Sequence, residues 1–365
     1  MQRRQWLCMA GTVFAWPFFA QASEATMGKN PRFDELMNHF VEKDGFNGVV
    51  LAGRNAKIDF LRGYGMANAE AGLPMTITTR FETGSVSKWI AAIVVMKLVE
   101  QNLLALDRPI AVYLPQYRKD IGNHVTLRHL MSHSSGIPND INAARKADPA
   151  IKLIELPQME AVHRYASGDL LFRPGTAWDY SHANWLVAKA VVEVATQKSY
   201  SELVRTLLIT PLGLNDSGIF TGLSSDVTGM AIGYAKLLPL PERKISGLPD
   251  YMAMAGGFYA TGADLLKLMD GVLRADGILS TSSRQTLMRV NMPDQHYALG
   301  GRTRTEMVAG MARECAWQDG SNGGFRILAR RTLQDGHTVV VLTNASFDYQ
   351  KLGDVGDALL AETYA

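Results

Sequence analysis

Ser85 and Lys88 stand three residues apart in Phe-Glu-Thr-Gly-Ser-Val-Ser-Lys, directly before the apolar run Trp-Ile-Ala-Ala-Ile-Val-Val-Met. On a helix, a residue at i+3 lies one turn along the same face. A helix opening at Ser85 therefore sets a hydroxyl and an amine side by side. Its positive end favours an anion developing at Ser85. Burial at the start of an apolar helix strips Lys88 of water, lowers its pKa and frees the amine to accept a proton. That is a route to a serine nucleophile without a histidine, and no Gly-x-Ser-x-Gly elbow occurs in the chain. On its own the pair also reads as a helix cap followed by a solvated end residue, so the remaining sequence has to decide.

Other candidate motifs carry less. His129 and His133 have the i, i+4 spacing of a metal pair but lack the glutamate of His-Glu-x-x-His, so no metal site is expected. Gly63-Tyr-Gly-Met-Ala-Asn68 has no third glycine and no following βαβ unit, which excludes a dinucleotide loop. No cofactor is expected.

The elements that must position Ser85 follow from periodicity. Pro31 to Asp44 places Phe33, Leu36, Met37, Phe40 and Val41 at helical spacing. Phe-Asn-Gly-Val-Val-Leu-Ala-Gly and Lys-Ile-Asp-Phe-Leu-Arg-Gly-Tyr-Gly read as strands around an Arg54-Asn55-Ala56 turn. The run after Ser85 is apolar nearly all round, so that helix is buried. From about residue 106 to 252 helical patterns alternate with loops rich in Pro, Gly and Ser. Two strong strands follow, residues 323–332 and 337–344, joined by a turn with Asp335-Gly336, and a helix over 349–363 ends the chain. Strands near both ends with helices between them predict an α+β fold. An antiparallel sheet flanked by helices, from 28–105 and 253–365, joins an all-helical domain over 106–252.

The chain has 365 residues, with 47% apolar and 20% charged, ordinary values for a globular protein with a full core. Arg3 and Arg4 precede an apolar stretch, Trp6 to Ala20, and Ala20-Gln21-Ala22 supplies a small-x-small cleavage pattern. This predicts an export signal cut after Ala22, by the general or the twin-arginine route, and a periplasmic or secreted protein. The stretch is short for a membrane span, so no stable membrane anchor is expected after cleavage. Removing it takes away two of 37 basic residues and none of the 35 acidic ones, leaving 35 of each. That balance argues against nucleic acid or a broad anionic surface as partner. Cys8 leaves with the signal, so Cys315 has no disulfide partner in the mature chain and a Cys-based metal site is excluded.

Several segments together resemble the class C β-lactamase-like serine hydrolases, a group that includes penicillin-binding proteins and family VIII esterases. Ser85-Val-Ser-Lys88 matches their Ser-x-x-Lys. Leu130–Pro138 resembles Leu-Leu-Thr-His-Thr-Ser-Gly-Leu-Pro, and residues 174–193 resemble the segment carrying Tyr-Ser-Asn. Residues 211–218 and 256–269 resemble two further family motifs, all in family order from about Asn30 onward. The resemblance implies Ser85 as acylated nucleophile, Lys88 as its base and Tyr180 as a proton donor to the leaving group, with Lys88 and Tyr180 acting as one coupled unit. It implies an oxyanion hole of the backbone N–H groups of Ser85 and Ser321. His182, Gln318, Asp319 and Gly320 would meet a small-molecule or peptide substrate.

Two positions depart from the family pattern. His182 replaces the asparagine of Tyr-Ser-Asn, and Gln318 replaces the Lys or His of the third motif. Gln318 has no charge, and Asp319 beside it would repel a carboxylate. Esters and amides without a nearby carboxylate are the expected substrates, and Asp319 offers a counter-charge for an ammonium, as in a D-amino acid amide. The rival reading is a catalytically weak or inactive relative that kept the fold as a ligand-binding or scaffold protein.

Overall fold

The computed structural model describes Gly28 and residues 30–365; the expected export signal lies outside the described residues. Helix α1, Pro31–Asp44, opens on Asn30, whose side chain accepts from the Arg32 N–H at 3.1 Å, and closes on Gly45 at φ 68°. These are the caps its sequence supplies. Strands β1, Gly48–Arg54, and β2, Lys57–Tyr64, form a hairpin in which Asn55 and Ala56 both have positive φ, the conformation a two-residue turn requires. Strands β3, Arg302–Val308, β4, Met311–Asn322, β5, Phe325–Thr332, and β6, His337–Thr343, follow late in the chain.

The six strands make one antiparallel sheet in the order β3-β4-β5-β6-β1-β2. The central seam pairs β1 with β6, Gly48 opposite Thr343 through Arg54 opposite His337. Both strands are buried on both faces. Val50, Ala52, Val339 and Val341 pack on α1 and on α5, Tyr349–Glu362, through Phe33, Met37, Leu352, Val355 and Leu359. Val49, Leu51, Val340 and Leu342 turn to the other side. There they meet the core built by α2, Val86–Glu100, and α4, Gly262–Leu273. The sheet is thus the middle layer of a three-layer sandwich. The two strands β3 and β4 were not legible as a hairpin, because one face of β3 is the half-buried charged set Arg302, Arg304 and Glu306 and its turn is Ala309-Gly310.

The middle of the chain carries α3, Ala183–Thr196, and several shorter helices, among them Leu127–Met131, Asp140–Ala147 and Gln158–Tyr165. Between Gly218 and Leu248 the chain leaves the helical pattern expected there and forms strands of two or three residues. One of them, Gly218–Ile219, pairs with Phe258–Ala260, which pairs in turn with Phe81–Glu82. That patch ties three distant segments together just ahead of Ser85. No helix among the described residues is long and apolar enough to cross a membrane.

Cys315 is fully buried in β4, and burial pushes its thiol up to about 12. A chain beginning at Ser23 is expected to show one thiol to Ellman's reagent in denaturant and almost none when native, labelling only as fast as it unfolds. Rapid native labelling would contradict this packing.

Candidate active site

Ser85 sits at the entry to α2 in helical conformation, and its hydroxyl makes no capping bond. The oxygen is therefore left to other partners. Gly84 before it has φ 52° and approaches β4 so closely that a Cβ there would lie 2.7 Å from the Ser321 nitrogen. From the other side, a Cβ on Gly320 would lie 2.1 Å from the Thr83 carbonyl oxygen and 2.8 Å from the Ser85 nitrogen. The turn at Ser85 and strand β4 touch backbone to backbone, which only glycine at both positions allows. The main chain at Ser85 is thereby held against the main chain at Ser321.

Behind Ser85 lies Lys88, with no exposed surface. Its Nζ donates to the Ala255 carbonyl at 2.7 Å and is 3.1 Å from Ser85 Oγ. Tyr180 Oη is 2.6 Å from the same Oγ. No carboxylate forms an ion pair with Lys88 among the described residues. Burial, reinforced by the Arg145 guanidinium and only partly opposed by Asp319, lowers its pKa to about 7. Burial acts oppositely on Tyr180 and holds the phenol above its ordinary value, so the phenol is protonated.

The rings around Tyr180 keep it in place. His133 lies 4.3 Å from the Tyr180 ring, centroid to centroid. Its Nδ1 accepts from the Ser181 N–H at 3.1 Å and faces the Asn184 amide at 3.3 Å. Burial keeps it neutral. His129 spends its Nδ1 on the Thr126 N–H in a helix cap, so the two histidines have separate structural duties. His182 is also held neutral by burial, then by the charges of Lys88 and Arg145. Its N–H donates to Asn139 Oδ1 at 3.1 Å, and Asn139 Nδ2 donates to the Tyr180 carbonyl.

Ser85, Tyr180, His182, Gln318, Asp319, Gly320 and Ser321 all line one cleft of about 370 Å³, with Lys88 behind its floor. A larger hollow of about 480 Å³ between β3 and α5 contains no serine, cysteine or lysine. Chemistry and not size therefore selects the smaller one. Residues 33–362 match the family described as Beta-lactamase. The chain belongs to that family.

Its relatives in the Beta-lactamase family differ in chemistry. The esterase EstB of Burkholderia gladioli is 31% identical over 253 residues, covering 62% of this chain and 64% of the esterase. The chain therefore spans somewhat less than two thirds of that relative. Among solved structures, the octameric penicillin-binding protein homologue of Pyrococcus abyssi superposes with a TM-score of 0.76 at 22% identity, covering 92% of this chain and 77% of that one. The D-amino acid amidase of Ochrobactrum anthropi SV3 gives 0.75 at 20%, covering 92% and 98%. Both share the fold described above.

Against that family background the third-motif positions look different in space than in sequence. Gln318 is nearly buried, and a Cβ on Gly301 would lie 1.9 Å from its Oε1. It is a wall of the cleft. Asp319 is not a free charge, because Arg302 on β3 donates to it at 2.9 Å. Arg302, with Trp178, Tyr297, Trp317 and Tyr349 on the same cleft, was missed from the sequence. Its placement depends on the β3–β4 register, Arg302 opposite Trp317, and nothing local announces it.

Glu82 was also missed. Its carboxylate oxygen Oε2 accepts from Asn322 Nδ2 at 2.6 Å and from Ser246 Oγ at 2.8 Å, with no exposed surface. Burial raises its pKa, while the hydrogen bonds from Ser224, Ser246 and Asn322 oppose the rise. It links the segment leading to Ser85 with the end of β4, next to Ser321. Glu82→Ala removes the shared acceptor of Asn322 and Ser246, leaving them only the 3.0 Å bond to each other, at a cost of about 1–2 kcal/mol. It is expected to lower the melting temperature and to reduce kcat on a neutral ester at least tenfold, with Glu82→Gln recovering most of both. Wild-type kcat in Glu82→Ala would remove the link from the chemistry.

Proposed function

We propose that this chain is an exported serine hydrolase that cleaves ester or amide bonds through an acyl-enzyme on Ser85. The observation carrying the proposal is the contact chain from buried Lys88 through Ser85 Oγ to Tyr180. In this reading the neutral Lys88 amine takes the hydroxyl proton as Ser85 Oγ attacks the substrate carbonyl. Tyr180 keeps its proton near neutral pH, because its pKa is raised, and so cannot take another, whereas Lys88 is partly deprotonated there. The phenol instead donates its proton to the leaving group and regains one from the Lys88 ammonium. The N–H groups of Ser85 and Ser321 bind the oxyanion. Water then attacks the acyl carbon by the reverse proton path, releasing the acid and restoring Ser85.

The cleft wall favours substrates without net charge near the scissile bond. Gln318 is neutral, and the Arg302–Asp319 pair cancels its own charge. The relatives fit this reading, one being an esterase and another a D-amino acid amidase by name. The unbroken contact around Ser85 speaks against an inactive scaffold. The leader-like sequence of residues 1–22 supports a periplasmic or secreted location.

A fluorophosphonate is expected to add to Ser85, seen as a mass shift that Ser85→Ala abolishes. Labelling elsewhere, or none from a panel of reagents, would remove the proposal. The reaction needs Lys88 deprotonated, so kcat/KM should fall as pH drops through about 7 and level off above it. Lys88→Met should lose at least a thousandfold in activity while gaining stability. The sign follows from linkage. The unfolded lysine binds its proton below about 10.5, whereas the folded one binds it only below about 7. The penalty on the native state is therefore absent above the upper value, grows as pH falls between the two, and is complete below the lower. The advantage of Lys88→Met in melting temperature should follow that course.

Asp319→Asn leaves Arg302 without its partner. It is expected to shift kcat/KM toward anionic esters, an effect that Arg302→Gln in the same chain cancels. Equal changes for neutral, anionic and cationic esters would show that the pair does not select substrate charge.

A further inference from the structure

Among the described residues, the most exposed aliphatic side chains sit on one hairpin. Strands Tyr234–Lys236 and Glu242–Arg243 pair with each other, and only the base of the hairpin, at Tyr234, bridges to Ala345. They are joined by Leu-Leu-Pro-Leu-Pro, and residues 238–245 are exposed without interruption. Leu238, Leu240 and Ile245 are 65%, 74% and 72% exposed. Single exposed apolar residues are ordinary, but a cluster marks a contact surface. Around the tip stand Lys236, Arg243 and Lys244 and one acid, Glu242, which pairs with Lys236 at 3.2 Å. Arg243 has no acidic partner among the described residues, and Lys244 reaches only the Ser346 hydroxyl, at 3.4 Å. Lys152 lies close enough to Lys244 to lower its own pKa further through it.

We propose that this hairpin docks on an anionic lipid surface, its aliphatic tip in the interface and its basic flank on the headgroups. An apolar tip ringed by basic residues has that physical signature. Two other occupants fit less well. Strand addition to the tip is blocked, because Pro239 and Pro241 have no N–H to give. A second copy would bring Arg243 and Lys244 against their own equivalents, and a hairpin tip offers far less than the roughly 800 Å² per partner of a stable dimer. The chain's overall charge balance hides this local asymmetry.

Docking would also place the cleft. The Tyr234 N–H donates to the Asn344 carbonyl at 2.7 Å, and Ser246, just past the hairpin, is bonded to Glu82 three residues before Ser85. The hairpin is thus tied to the nucleophile segment, and a docked molecule would hold its cleft near the lipid. This part rests on the proposed chemistry, whereas the lipid contact does not.

Every described element lies after residue 27, so a chain beginning at Ser23 carries the whole fold without the apolar leader. Its co-sedimentation with phosphatidylcholine vesicles, with and without phosphatidylglycerol, tests the proposal. Binding to the anionic vesicles should exceed binding to the neutral ones about tenfold and weaken with salt. Leu238→Ser with Leu240→Ser should reduce it at least tenfold, with hydrolysis of a soluble ester unchanged. Arg243→Glu with Lys244→Glu should abolish the preference for anionic vesicles. No binding to either vesicle, or binding that the serine variants retain, would overturn the proposal. So would a vesicle-free dimer in sedimentation velocity that those variants dissolve.

Discussion

A lysine shut off from solvent, with no ion-pair partner among the described residues, is the constraint on which the site depends. Its only polar neighbours among the described residues are a backbone carbonyl and the serine it serves. Protonating it in place costs on the order of 5 kcal/mol more than in water. The apolar helix α2 imposes that cost by burying the amine, and the Arg145 charge adds to it. An aspartate paired with the ammonium would stabilise the protein and leave the lysine permanently charged. The fold instead keeps a destabilised residue there, the arrangement that the proposed role of proton acceptor would require.

The rest of the cleft keeps that amine dry and the serine aimed. His133 and Trp178 lie 4.3 and 6.1 Å from the Tyr180 ring, centroid to centroid, and Tyr297 packs against both of them. They give the phenol a single position without lending it a charge, because both histidines near it are neutral. Across the cleft β4 supplies main chain at Gly320 and Ser321, so the approach to Ser85 tolerates substitution of side chains better than displacement of the strand. This explains how the family's third motif can change here while the geometry survives. At Gln318 the side chain became part of the wall, and at Asp319 it found an arginine.

What the sequence revealed and what it hid divides along one line. Local signals were readable. The apolar spacing from Phe33 to Val41 marked a helix and Asp335-Gly336 a hairpin turn. Ser85, Lys88 and Tyr180, named from motifs, meet within hydrogen-bonding distance. Features that depend on register were not readable. Strand β3 alternates Arg and Thr with Glu and carries no apolar face, so neither its pairing nor the arrival of Arg302 beside Asp319 could be inferred. Glu82 likewise looked like any strand-end acid until Asn322 and Ser246 closed over it. The short strands between Gly218 and Leu248 are two or three residues long, below the length at which periodicity means anything.

The pairing of β1 with β6 joins residues near the two ends of the chain, and the cleft inherits that separation, with Ser85 early and Ser321 late. A sheet whose middle seam closes last cannot be complete while the polypeptide is still being made, or is still threading through a translocation pore. Until its final strands arrive, Ser85 has no opposite wall, so the cleft is completed only after most of the chain has been made. If the chain is exported as proposed, it would stay harmless in the compartment where it is made.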